Sequence, residues 1–215
     1  MSKVFWIILA VVITALIGLF VIFNRSDSAQ NQATANPSEV TSQDYVRGKP
    51  EAKVTLIEYG DFQCPACGNA YPLLKQLEEE YPEQLKVVFR HFPLTSIHPN
   101  AFAAARAAEA AGAQGKFFEM HDLIYEKQSE WSSSPQAANF FKQYAEQLGL
   151  DVEKYEDDYG SGQTTDRINA AVKLGQDMEL SATPTFYLNG EKLDPNPKNY
   201  DEFKAKIESA LQSSN

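Results

Sequence analysis

The chain has 215 residues, 43% hydrophobic and 22% charged, a balance that supports a packed core and excludes wholesale disorder. With 19 Lys and Arg against 29 Asp and Glu the formal net charge is -10, which phosphate backbones repel, so nucleic acid is ruled out as the expected partner. The only two cysteines are Cys64 and Cys67. A pair that close cannot staple distant parts of a fold, and a structural bridge explains it poorly.

In chain order, the first feature is an uncharged apolar run over residues 4–23. As a helix it spans about 30 Å, the hydrocarbon thickness of a bilayer. A cleaved signal peptide is the alternative, but its apolar stretch is usually about 7–15 residues long. Here the run is longer, and the cleavage-like Ala33-Thr34-Ala35 triplet lies well past it. The expectation is one transmembrane helix within residues 1–23. Lys3 and the amino terminus on one side, against Arg25 on the other, favour a cytoplasmic N-terminus and an extracytoplasmic remainder. Residues 24–44, rich in Ser, Asn, Gln, Ala and Thr, read as a flexible linker with a reach of roughly 25 Å.

From residue 45 to 215 the pattern is that of an α/β domain. Lys53–Tyr59 reads as a strand, Gly60–Gln63 as a turn, and Cys64 to about Tyr81 as a helix, with Leu73, Leu74 and Leu77 on one face and a kink at Pro72. Leu85–His91 is a second strand, so a βαβ unit with parallel pairing is expected. Helical spacing follows over Asn100–Ala111, Lys116–Gln128, Pro135–Leu148 and Thr165–Gly175. Thr185–Leu188, Asn189-Gly190 and Glu191–Leu193 form a hairpin signal, because Asn-Gly supplies the positive φ angles of a type I′ turn. Asn199–Leu211 closes the chain as an amphipathic helix with Tyr200, Phe203, Ile207 and Leu211 inward.

Cys64-Pro65-Ala66-Cys67 sits between a strand and a helix. The helix N-terminus offers free N–H groups and partial positive charge, which stabilise a thiolate at Cys64. Pro65 has no N–H for the first turn to require. Cys67, one turn further in, is the expected resolving thiol. The alternative is half of a zinc site, which needs two further ligands; His91, His98 and His121 are not paired at ligand spacing, and no metal or cofactor is expected. Thr183-Pro184 reads either as part of the redox site or as a simple edge proline. Glu58, in the strand before the CxxC, is either a buried functional acid or an exposed edge carboxylate.

Asp61-Phe62-Gln63-Cys64-Pro65-Ala66-Cys67-Gly68, His98-Pro99-Asn100, Gln114-Gly115-Lys116-Phe117-Phe118, Thr183-Pro184-Thr185-Phe186 and Asn189-Gly190 together resemble the DsbA-type branch of the thioredoxin superfamily. The resemblance implies a thioredoxin-like fold with a helical insertion at about residues 97–178. It also implies a cis Pro184 beside Cys64, a backbone at Thr183 that pairs with bound peptide as an added strand, and a buried acid at Glu58 that exchanges protons with Cys67. Ala66 departs from the strongly oxidising members, which often carry His there, and so lacks one source of thiolate stabilisation. His98 and His121 read as packing or capping residues.

The function so implied is disulfide formation in newly exported, cysteine-containing proteins, with reoxidation by a DsbB-like or vitamin K epoxide reductase-like membrane partner. A reductase or isomerase kept reduced by a membrane donor, or a redox-inactive chaperone or binding module, are the alternatives.

Overall fold

A computed structural model describes residues 39–213. The segment expected to cross the membrane and the linker up to residue 38 lie outside the described residues. Among the described residues no helix is long and apolar enough to cross a membrane.

Five strands form one sheet: β1 (Tyr45–Arg47), β2 (Val54–Gly60), β3 (Leu85–His91), β4 (Thr185–Leu188) and β5 (Glu191–Lys192), in the order β1-β3-β2-β4-β5. β2 and β3 are parallel, joined through α1 (Pro65–Glu80), and β4 returns antiparallel to β2. Asn189 and Gly190 both have positive φ, 48° and 88°, as a primed hairpin turn requires. Between β3 and β4 lies the insertion: α2 (Ala101–Gly112), α3 (Phe117–Glu126), α4 (Gln128–Trp131), α5 (Ala137–Gln147), α6 (Val152–Gly160) and α7 (Gly162–Asp177). The last helix is α8 (Tyr200–Ser213).

The two-residue period of the strands sorts side chains onto two faces. Val54, Leu56, Leu85 and Val87 pack with Leu74 and Leu77 of α1 and with Phe203 and Ile207 of α8. Ile57, Tyr59 and Val88 pack on the other face with Leu180 and, from α7, Val172 and Leu174. Glu58 continues the Val54–Leu56 row and is therefore turned under α1. The third core joins Phe62, Cys64, Cys67 and Phe89 to the insertion helices through Ala108, Met120, Ile124 and Trp131. Alanines at most 1% exposed along α2 let that helix approach its neighbours closely.

Two sequence expectations change in detail. Residues 39–44, read as linker, are bound to the domain: Arg90, 3% exposed, meets Asp44 Oδ1 at 2.7 Å through Nε and donates from Nη2 to the Glu39 carbonyl at 2.7 Å. α1 continues through Pro72, with the Gly68 carbonyl losing only the donor that a proline lacks.

Candidate functional site

The turn that delivers Cys64 is built around Asp61, which is 1% exposed. Its Oδ1 accepts from Gln63 N at 2.7 Å, and its Oδ2 accepts from Leu94 N at 2.8 Å and lies 2.7 Å from His98 Nδ1. The Cys64 amide closes the turn onto the Asp61 carbonyl at 3.0 Å. From α4, Gln128 Nε2 donates to the carbonyls of Phe62 at 2.7 Å and Cys64 at 3.0 Å. A Cβ at Gly68 would stand 2.7 Å from Gln128 Oε1, so the missing side chain makes room for that clamp. His98 thus braces the turn, and His121 is packed among Phe62, Phe89 and Tyr125, with burial lowering its pKa to about 4.

Cys64 is the N-cap of α1 and Pro65 occupies the first turn. Both cysteines are free thiols, but their surroundings differ. Cys64 is 7% exposed and Cys67 fully buried. The Cys64 thiol donates to the Thr183 carbonyl at 3.4 Å, across the cis Thr183–Pro184 peptide. A hydrogen bond from Cys67 is the largest effect on Cys64; with the Thr183 side chain and the N–H groups of Cys67 and Ala66, it outweighs burial and holds the pKa at about 5. Burial, donation to Cys64 and the Glu58 charge push Cys67 well above the ordinary thiol value. The Thr183 hydroxyl is buried and has no protein partner, so it is available to a thiolate.

Glu58 lies on the central strand, paired in register with Phe89 and Phe186. It is 3% exposed, which removes the edge-carboxylate alternative. Burial first, then the charges of Cys64 and Glu78, raise its pKa to about 8. Its Oε1 and the Tyr125 hydroxyl are buried without a protein partner.

The structure therefore brings Cys64, Cys67, Thr183, Pro184 and Glu58 into one place. One sulfur is set to ionise at a helix N-terminus and the other is set to stay protonated near a carboxyl group with a raised pKa, an arrangement suited to thiol exchange. Beside Cys64 a cavity of about 420 Å³ runs past Ala66, Leu73, Pro184, Phe186 and Pro195, with Asn196 Nδ2 donating to the Pro184 carbonyl at 2.6 Å. A larger cavity of about 810 Å³ near β1 and α7 lies elsewhere; apart from Asp166 its charged groups pair with one another, Arg90 with Asp44 and Glu109 with His91 and Arg167. Sequence reasoning missed the bracing roles of Asp61, Gln128 and Asn196; of these, Asp61 stood in a quoted motif, as did His98, while Gln128 and Asn196 carried no local signal.

A family model described as thioredoxin matches residues 40–209. Among curated proteins, the Na(+)/H(+) antiporter NhaA 3 of Salinispora tropica is 40% identical over 170 residues, which cover 79% of this chain and 25% of that protein. The chain spans about a quarter of the length of the curated relatives it matches. A thioredoxin-like oxidoreductase from Silicibacter pomeroyi superposes with a TM-score of 0.68 at 25% identity, covering 86% of this chain and 99% of that one. Alpha-DsbA1 of Wolbachia pipientis superposes with a TM-score of 0.75 at 18% identity, covering 85% and 98%. The resemblance read from the motifs holds at the level of family and fold.

Proposed function

The chain belongs to the thioredoxin family, and on that premise we propose that it is a thiol-disulfide oxidoreductase that passes a Cys64–Cys67 disulfide to cysteine-containing proteins exported across the cytoplasmic membrane. A substrate thiolate attacks Cys64 Sγ. The substrate–Cys64 bond forms as the Cys64–Cys67 bond breaks, and Cys67 leaves with a proton from Glu58. A second substrate thiolate then attacks the substrate sulfur of the mixed disulfide, closing the substrate disulfide and releasing Cys64 as a thiolate. The substrate loses two electrons and the cysteine pair gains them. Thr183 offers its backbone to the extended substrate as an added strand, and Pro184 forms the wall beside Cys64.

The observation that carries this reading is the asymmetry of the sulfurs: Cys64 at the helix start beside Thr183, and Cys67 sealed beneath it with Glu58 turned under the same helix. An easily formed Cys64 thiolate stabilises the dithiol state and makes the disulfide a better oxidant. An N-terminal membrane helix and a DsbB-like or vitamin K epoxide reductase-like reoxidant complete the proposal. Ala66, exposed and uncharged, favours a second reading in which a less oxidising pair acts as a reductase. Ion antiport, named for the longer relatives, is not proposed, since the shared stretch is a quarter of those proteins and folds here around a dithiol. The test is stoichiometric: oxidised protein mixed with a reduced, unfolded ribonuclease transfers one disulfide per chain by mass, and Cys64→Ser transfers none. Transfer by Cys64→Ser at the wild-type rate contradicts the proposal.

A further inference from the structure

A small cavity under α1 is bordered by Arg47, Glu58, Tyr71, Glu78, Phe89 and His121, with about 10 Å³ of room for the centre of a water molecule. Three of its bordering atoms are buried polar atoms that no protein group hydrogen-bonds: Glu58 Oε1, Glu78 Oε1 and Arg47 Nε. Arg47 Nε stands 2.8 Å from Glu78 Oε2 as an ion pair, but its N–H is not aligned on that oxygen. The inner wall is closed, with Glu58 3% exposed. The outer wall reaches the surface, with the Glu78 and Arg47 side chains 13% and 24% exposed. Leu74, Val87 and Phe118 complete the wall, so the void is largely apolar with three polar atoms at its edge. Room for one water with two to four polar partners is the setting that holds ordered water in proteins.

We propose that Glu58, Glu78 and Arg47 share one buried water, which makes the Glu78–Arg47 pair a positioning element for the acid beneath Cys67. The inference rests on the proposed role of Glu58 as the proton partner of Cys67. A substrate seated over Cys64 covers the near side of the site. The shared water then gives the Glu58 proton a way out between α1 and β1, and the ion pair sets how tightly that proton is held. The titratable and charged groups facing Glu58 are Cys64, Cys67, Glu78 and Tyr71, the last kept neutral by burial, from α1 and its cap, Arg47 from β1, and His121 and Tyr125 from α3. His121 and Tyr125 are neutral near pH 7, because burial lowers the one and raises the other. The charges left to tune Glu58 are the Cys64 thiolate, Glu78 and Arg47, the last also held by Asp122 at 2.9 Å, which takes Lys75 at 2.8 Å.

The test is a carbon-13 NMR titration of the Glu58 carboxyl in the reduced full chain. Glu78→Gln removes an anion and lowers the Glu58 midpoint by about one pH unit; Arg47→Met removes a cation and raises it by a similar amount, as expected for charges one water apart. General loosening of the site admits solvent and moves both midpoints down. Midpoints that move in the same direction, or that stay within about 0.2 of wild type, overturn the inference. Disulfide transfer measured on the same samples separates the two readings. A wild type that transfers disulfides while the variants leave Glu58 unmoved sinks only the shared water. A wild type that transfers none sinks the proposed function.

Discussion

Glu58→Gln should make the reduced protein more stable, and increasingly so as pH rises. The carboxyl ionises at 4.5 in an ordinary setting and at about 8 here, chiefly because burial penalises its charged form. Between those values the unfolded chain releases the proton while the folded chain keeps it, so stability falls as pH rises through the window. Each pH unit removes about 1.4 kcal/mol, which amounts to about 3 kcal/mol by pH 7. Glutamine keeps the shape and carries no proton to lose, so the difference between variant and wild type is smallest near pH 4.5 and grows to about 3 kcal/mol at pH 7. For a domain of this size that corresponds to a Tm gain of about 10 °C. Urea unfolding of both proteins under reducing conditions at pH 5, 6, 7 and 8 measures it. A difference that stays flat across those pH values refutes the burial of an acid that is neutral near pH 7. The same substitution should slow opening of the Cys64–Cys67 disulfide by a substrate thiolate, because Cys67 loses its proton donor.

Absorbance at 240 nm should show the Cys64 thiolate forming with a midpoint at about 5, and Cys67→Ala should raise that midpoint, because the hydrogen bond from Cys67 is the largest lowering influence. Gln128→Ala removes two donations to the carbonyls of the Cys64 turn and should lower stability by about 1–2 kcal/mol in urea unfolding, with the amides of residues 62–64 losing hydrogen-exchange protection. His121 is buried and neutral, with a pKa held at about 4. The stability it contributes is complete above its ordinary value of 6.5 and is lost as pH falls through 4. His121→Phe should therefore flatten the acid limb of the thermal-stability profile between pH 6.5 and 4, which scanning calorimetry at fixed pH values checks.

Much of the sheet was legible because strand periodicity and burial coincide: Leu85–His91 is a strand to the residue, and the Asn189-Gly190 turn forces its hairpin. β1 was missed because a three-residue strand, Tyr45–Arg47, has no periodicity to read. α6 was missed because its nine residues bury one side chain fully, Tyr155, although Asp151 was there as an N-cap, accepting from Lys154 N at 3.1 Å. Both cysteines could be found from spacing alone, since two sulfurs one turn apart at a helix start have a restricted chemistry. Glu58 and Thr183 needed the fold: the first is functional only if its strand is central, and the second only if the returning strand reaches Cys64. Gln128 could not have been read at all, because its partners are backbone carbonyls more than sixty residues away and backbone acceptors leave no mark in sequence.

The reduction potential of the Cys64–Cys67 couple, measured by equilibrating the protein in glutathione buffers, tests the direction of electron flow most directly. A nucleophilic thiol with a pKa of about 5 falls between DsbA, at about 3.5 and about -120 mV, and thioredoxin, at about 7 and about -270 mV. Interpolation predicts about -180 mV, oxidising enough to donate disulfides even with Ala66 in the motif. A value at or below about -270 mV contradicts disulfide donation and makes the pair a reductant.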